Sequence, residues 1–272
     1  MGLYGTQTRD SSSGGFSSKD NYGKLPNRSR YEYNWLKTGI ERVGSMSYSE
    51  RKQNIFDYSD ARAAEYERNY IVNGSAPTSD SGSYREDISV ISRLVPEYIR
   101  GQHIDLACGT GFWLQFYEKN CQAITLIDQS ERMLAECSQN IKKLGIEGKT
   151  QIICDDLFNY AFQQNKYDSA LISFLVGLLD EPEERKLFNI LRRIIKPGGT
   201  FVIIDSAWSN ERAVSHRKSG IQKRAVSDGR EYQIYKRYFE NKDFDDMAEK
   251  YKINLSVIHE GREHIAVVGS FA

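Results

Sequence analysis

Acids and glycines recur in this chain at spacings that suit a nucleoside ligand. The stretch Ile104-Asp105-Leu106-Ala107-Cys108-Gly109-Thr110-Gly111 places its glycines just after an apolar run. A chain leaving a buried strand must turn tightly there, and glycine lets a ligand come close to the backbone. A dinucleotide fingerprint would need a third glycine at position 114, where this chain has Leu114, so a nicotinamide or flavin pyrophosphate is disfavoured. Asp105 points the same way, because a carboxylate inside the first strand repels a pyrophosphate and suits a ligand with ammonium and sulfonium groups. Leu126-Ile127-Asp128 puts an acid 19 residues after Gly109, near the spacing of about 20 at which a carboxylate accepts from a ribose diol. Cys154-Asp155-Asp156-Leu157 brings two more acids to the end of a third apolar run; Asp156 also suits the cap of the following turn.

Those residues need a frame. From about residue 84, short runs rich in Ile, Leu and Val alternate with longer stretches of helical period. The fold expected is α/β and doubly wound, a mainly parallel sheet with crossover helices. The strands fall at 102–107, 123–128, 150–154, 168–173 and 200–205, with helices near 111–119, 130–143 and 182–195. Ligands of such sheets sit at the carboxyl edges of the strands, which brings Ser173 and Phe174, after the fourth strand, to the reaction centre. Lys196-Pro197-Gly198-Gly199-Thr200 ends a helix and turns the chain before the fifth strand. Asp228-Gly229 between two apolar runs signals a hairpin. A helix near 242–251 and two runs at 253–258 and 264–268, suited to antiparallel pairing, follow. Ahead of the sheet, residues 1–30 are rich in glycine and serine and read as a disordered tail. Residues 31–80 form a helical appendage, with Ser47 and Glu50 at capping-box spacing, a second short helix from Asp60 towards Tyr70 and a loop at 73–77.

The stretch from Asp105 to Gly111, together with the acids at the following strand ends and the Pro-Gly-Gly turn, resembles the class I S-adenosylmethionine-dependent methyltransferases, of the small-molecule type. The likeness runs at least from residue 84 to 206. It implies S-adenosyl-L-methionine as cofactor, with Asp128 on the ribose hydroxyls and Gln129 and Met133 walling the adenine. It implies Asp155, with Asp156 and Leu157 beside it, at the adenine amine and ring nitrogen, and Asp105, Ala107, Gly109 and Gly111 under the methionine end. It puts Ser173 beside the methyl group. Relatives of this kind often cover the cofactor with an N-terminal helix, which makes 31–80 a lid and sets Tyr58 and Arg62 against the cofactor. The domain is then 81–272, with a substrate-side insertion near 207–240. The histidine that many relatives carry after the fourth strand as a general base is missing, since the chain reads Val176-Gly177-Leu178-Leu179-Asp180. His216, in the insertion, is the weak catalytic candidate that remains, with Asp205 and the appendage tyrosines as further proton acceptors. Arg224, Arg230 and Lys236 around the hairpin suit either an anionic substrate group or a solvated face.

Charge and composition narrow the acceptor. Thirty-seven basic residues balance 37 acidic ones, which leaves no platform for nucleic acid. No run of about 18 apolar residues suits a membrane span, and a cytoplasmic address is expected. Met1-Gly2 with Thr6 fits an N-myristoylation pattern, but no basic cluster supplies the second signal that stable anchoring needs. The four cysteines form no metal-binding or disulfide pattern. The expected function is methyl transfer to a small-molecule acceptor. The alternatives are methylation of RNA or protein, or a non-catalytic module that binds cofactor.

Overall fold

The computed structural model describes residues 46–68 and 81–271. The tail at 1–30, the aromatic stretch from Tyr31 and the loop at 73–77 lie outside the described residues.

Helix α1, Tyr48–Arg62, begins at Ser47, whose hydroxyl accepts from the Glu50 amide while the Glu50 carboxylate accepts from the Ser47 amide. Two donors that a helix start would leave orphaned are satisfied reciprocally, as the sequence signals. The second helix does not start at Asp60; it is a three-residue helical turn at Tyr66–Arg68. No Gly or Pro interrupts residues 48–62, so one helix runs through Asp60 and tightens into a 3₁₀ turn at Ala63–Glu65.

The remaining elements, in chain order, are α2 (Ser81–Leu94), β1 (Gly101–Leu106), α3 (Leu114–Tyr117), β2 (Cys121–Asp128), α4 (Glu131–Leu144), β3 (Thr150–Cys154), β4 (Tyr167–Ser173) and α5 (Glu181–Ile194). They continue with β5 (Ile195–Ser206), α6 (Asn210–Ala213), β6 (Ser219–Ala225), β7 (Glu231–Arg237), α7 (Asn241–Tyr251), β8 (Asn254–Glu260) and β9 (His264–Ser270). Seven strands form one sheet in the order β3-β2-β1-β4-β5-β9-β8, and β6 and β7 form a separate hairpin. β1 to β5 pair in parallel, and β9 runs antiparallel to both β5 and β8.

Two apolar layers hold the sheet. Ile104, Leu106 and Ile172 face Leu187, Phe188 and Leu191 of α5, whereas Leu126, Leu171 and Val202 pack with Ile91, Leu114 and Leu134 from α2, α3 and α4. Central β4 is buried along nearly its whole length, as a strand covered on both faces must be. Two details depart from expectation. The helix after Gly111 is one turn long, and Pro197 to Gly199 form a bulge within β5, because Ile195 already pairs with Tyr167 before Thr200 meets Ser169. The chain leaves β1 towards β2 on one side and returns to β4 on the other, so a crevice opens at the carboxyl ends of β1 and β4. No helix among the described residues is long and apolar enough to cross a membrane.

Candidate functional site

The crevice is floored by the turn after β1. Ala107 has φ +57° and Gly109 φ +55°, so a non-glycine residue takes a left-handed conformation at the cavity wall. That geometry costs an alanine about 1–2 kcal/mol and tends to persist where a site demands it. The Gly109 amide donates to Asp128 Oδ2 at 2.9 Å, and the Ser130 amide donates to Asp128 Oδ1 at 2.9 Å. The carboxylate is therefore aimed by two backbone donors, and each oxygen keeps a lone pair for a ligand. Burial pushes this carboxyl up, against the lowering effect of those amides. A Cβ on Gly109 would find only Met133 Sδ, at 3.9 Å, among the described residues. The space in front of this glycine is open to a ligand.

Gly111 and Asp105 sit behind the cavity wall and not on it. A Cβ on Gly111 (φ +71°) would strike Leu114 Cδ1 at 2.7 Å and Cys137 Sγ at 2.8 Å, so this glycine lets the turn pack on α4. Asp105, 1% exposed, accepts from the Tyr117 hydroxyl at 3.1 Å, and its Oδ1 is buried with no partner among the described residues. Desolvation, helped by the nearby Asp128, raises its carboxyl to about 8. The expected carboxylate beneath a ligand cation is a mostly protonated acid at neutral pH, because burial favours its uncharged form.

Along the β2 and β3 ends the cavity is lined by Gln129, Met133, Asp155, Asp156 and Leu157. Ser130 caps α4 by accepting from the Met133 amide, and its hydroxyl donates to Asp60 of α1 at 2.9 Å, which ties the helix over the site to the helix beneath it. Asp156 Oδ1 accepts from the Phe158 amide at 2.9 Å, so it caps the turn, and Asp155 stands exposed beside it. From α1, Tyr58 and Arg62 face the cavity; Arg62 Nη1 donates to the Tyr58 hydroxyl at 2.7 Å.

Sequence reasoning did not single out Lys52, Ile55 and Ser59, which line the same wall. With Tyr58 and Arg62 they recur every three or four residues, the period of one helix face, and that spacing was the available signal. It also missed the clamp on α1. Arg51 donates to Asp180 Oδ2 at 2.5 Å and to Glu183 Oε2 at 2.9 Å, fixing α1 on the N-terminus of α5.

The far wall comes from β4, β5, α6 and the hairpin region: Ser173, Phe174, Ser206, Arg212, Arg224, Ile234, Lys236 and Tyr238. Phe174 is a second non-glycine residue at positive φ, +55°. Asp205 is fully buried; Lys236 Nζ donates to its Oδ1 at 2.8 Å and the Gly177 amide to its Oδ2 at 2.7 Å. It is an anchor for Lys236 and not a solvent-facing base. His216 does not line the cavity. Its Nδ1 is hydrogen-bonded to Ser215 Oγ at 2.8 Å and its ring meets Tyr238 edge to face, 5.7 Å between centres. Burial and then Arg224 and Arg212 lower it to about 4, which makes it a weak base. Arg230 pairs with Asp228 at the exposed hairpin tip, away from the cavity.

The donor set suits a nucleoside joined to an amino acid: a backbone-aimed carboxylate for a diol, acids for an amine and an open glycine turn. A mainly parallel sheet with this crevice is the class I methyltransferase fold. Residues 104–199 match a family model described as a methyltransferase domain. The phosphatidylethanolamine N-methyltransferase of Cereibacter sphaeroides is 29% identical over 105 residues, covering 39% of this chain and 50% of that protein. A demethylmenaquinone methyltransferase of Staphylococcus haemolyticus is 28% identical over 107 residues, 38% of this chain and 43% of that protein. The chain thus spans half or less of the length of these curated relatives. The solved DhpI-SAM-HEP complex shares the fold at TM-score 0.66 and 20% identity, over 83% of this chain and 100% of that one. A S-adenosylmethionine-dependent methyltransferase from Clostridium acetobutylicum does so at TM-score 0.55 and 14% identity, over 77% of this chain and 98% of that one. Residues 104–199 thus match a methyltransferase-domain model, and the chain shares the class I S-adenosylmethionine-dependent methyltransferase fold.

Proposed function

We propose that this protein transfers the methyl group of S-adenosyl-L-methionine to a small-molecule acceptor. The observation that carries this reading is the clasp between the Gly109 amide and Asp128, set at the carboxyl end of β1 beside open space. Asp128 would accept from the ribose hydroxyls, and Asp155 and the Leu157 amide would read the adenine edge, with Met133 and Gln129 as its walls. Ala107 and Gly109 would carry the methionine end, and Ser173 would border the methyl group. Tyr58 and Arg62 would cover the cofactor from α1, making that helix a lid on a methyltransferase domain at 81–272.

The bound cofactor supplies a sulfonium methyl group, whose carbon–sulfur bond breaks with its electron pair leaving on sulfur as the acceptor lone pair bonds to the carbon. The protein's part is to hold the nucleophile in line and exclude water. Positioning of that kind can supply roughly 7–11 kcal/mol without an acid or base. The low basicity of His216 and the full pairing of Asp205 fit an acceptor that arrives already nucleophilic, as a carboxylate, thiolate, enolate or neutral amine. The relatives named for phosphatidylethanolamine and demethylmenaquinone act on small molecules, which supports that substrate class.

Calorimetric titration tests the reading. Both S-adenosylmethionine and S-adenosylhomocysteine should bind, and adding the small-molecule fraction of a cell extract to the former complex should release S-adenosylhomocysteine. A folded protein that binds neither overturns the proposal.

A further inference from the structure

The cavity is electrically polarised. Its β2 and β3 end carries Asp128, Asp155 and Asp156, whereas its hairpin end carries Arg212, Arg224 and Lys236. These three cations converge on one side chain, Tyr238, which is 1% exposed. Arg224 Nη2 donates to its hydroxyl at 2.6 Å, the Arg212 guanidinium lies 4.6 Å from its ring centre and Lys236 Nζ lies 5.7 Å from it. Two of the cations have carboxylate partners, Lys236 on the buried Asp205 and Arg212 on the half-buried Glu263. Arg224 has none among the described residues; it bonds only neutral oxygens, those of Tyr238, Gln222 and the Lys223 carbonyl. Three cations against two carboxylates leave an uncompensated positive charge facing a partly desolvated cavity, where an anion is held more strongly than in water.

We propose that Arg224, supported by Arg212, Lys236 and Tyr238, is an anion-binding subsite, and that the acceptor carries a carboxylate or phosphoryl group which docks there. The inference rests on the methyl-transfer reading for the word acceptor, but the subsite itself does not. A guanidinium held by neutral oxygens keeps donors for a planar oxyanion, and its planar fork matches carboxylate and phosphate geometry alike. Ser206, on the same wall, adds a hydroxyl. The depression of His216 by Arg224 and Arg212, after burial, reports the same positive potential.

The test uses the full chain loaded with S-adenosylhomocysteine. Inorganic phosphate and acetate are titrated in separate arms at constant ionic strength, with binding read by calorimetry and melting temperature. One of the two should saturate a single site, and the better ligand names the group. Arg224→Gln should weaken that binding at least tenfold while its S-adenosylhomocysteine titration shows that the variant is folded. Arg224 is the residue to change because losing Lys236 would strand the Asp205 charge in the core. No saturable binding of either anion overturns the subsite, as does equal binding by Arg224→Gln. Phosphate or acetate binding that depends on Arg224, in a folded protein that ignores S-adenosylhomocysteine, keeps the subsite and sinks methyl transfer.

Discussion

Asp128 is set before any ligand arrives: two backbone amides fix its orientation, so a diol would meet a carboxylate that need not reorganise. Replacing it by alanine would leave two ribose hydroxyls and two amides without an acceptor. Asp128→Ala should therefore raise the dissociation constant of S-adenosylhomocysteine by about 1–3 kcal/mol, roughly five- to 150-fold. Calorimetry on a variant with an unchanged circular-dichroism spectrum checks this, and unaltered affinity would remove Asp128 from the ribose. This residue was legible because its distance from Gly109 is a property of chain length between two strand ends. The state of Asp105 was not, since sequence names an acid but not the medium around it. Only burial in the core, with Asp128 nearby and against the lowering effect of the Tyr117 hydroxyl, turns it into a proton carrier near neutrality.

At the scale of elements, the site depends on one helix being held in place. The apolar contribution of α1 is small, with Tyr58 packing on Val226 and Ile234 of the hairpin region, and polar clamps do the rest. Arg51 joins Asp180 and Glu183, and Asp60 meets the Ser130 hydroxyl and the Arg132 side chain. Glu183 is 2% exposed, and without Arg51 its Oε2 loses its guanidinium donor while Lys52, at 3.5 Å, and the Tyr48 hydroxyl stay on Oε1, so the loss should cost about 1–3 kcal/mol. Arg51→Ala should accelerate hydrogen exchange across Tyr48–Arg62 while leaving β1 and β4 protected, and should weaken S-adenosylhomocysteine binding. Exchange in α1 that matches the wild type would show that the helix is docked by other contacts. The capping box of α1 was readable from Ser47 and Glu50, which are three residues apart. Its clamp was not, because Arg51 and Glu183 lie 132 residues apart and neither carries a local signal.

For the whole molecule, buried titratable groups set limits on stability at both ends of the pH scale. His103 is fully buried and lowered to about 3, chiefly by desolvation. Its folded value lies below the unfolded one, so its contribution is intact above about pH 6.5 and is lost as the pH falls towards 3. Asp105 works in the opposite sense. Its folded value of about 8 lies above the unfolded 3.8, so its contribution is complete below about pH 4 and disappears as the pH rises through 8. Asp105→Asn, which keeps the shape of the protonated acid, should flatten the alkaline decline: urea midpoints at pH 5 and pH 8.5 should lie closer together than in the wild type. An unchanged gap between those midpoints would mean that Asp105 is ionised in the folded protein.

The alternation of apolar runs with helical stretches, the glycines after the first strand and the acids at successive strand ends determined the doubly wound sheet and the nucleoside-shaped edge of the crevice. These are local quantities, set by periodicity and by chain length between neighbouring elements. Tertiary structure alone decided which charges meet. Arg212, Arg224 and Lys236 come from three separate elements around Tyr238, and only their convergence distinguishes a binding subsite from a solvated hairpin. Arg230 lies one residue from β7 and carries the same charge, yet it pairs with Asp228 at the hairpin tip. Coulomb energy depends on distance and on the surrounding dielectric, and folding sets both.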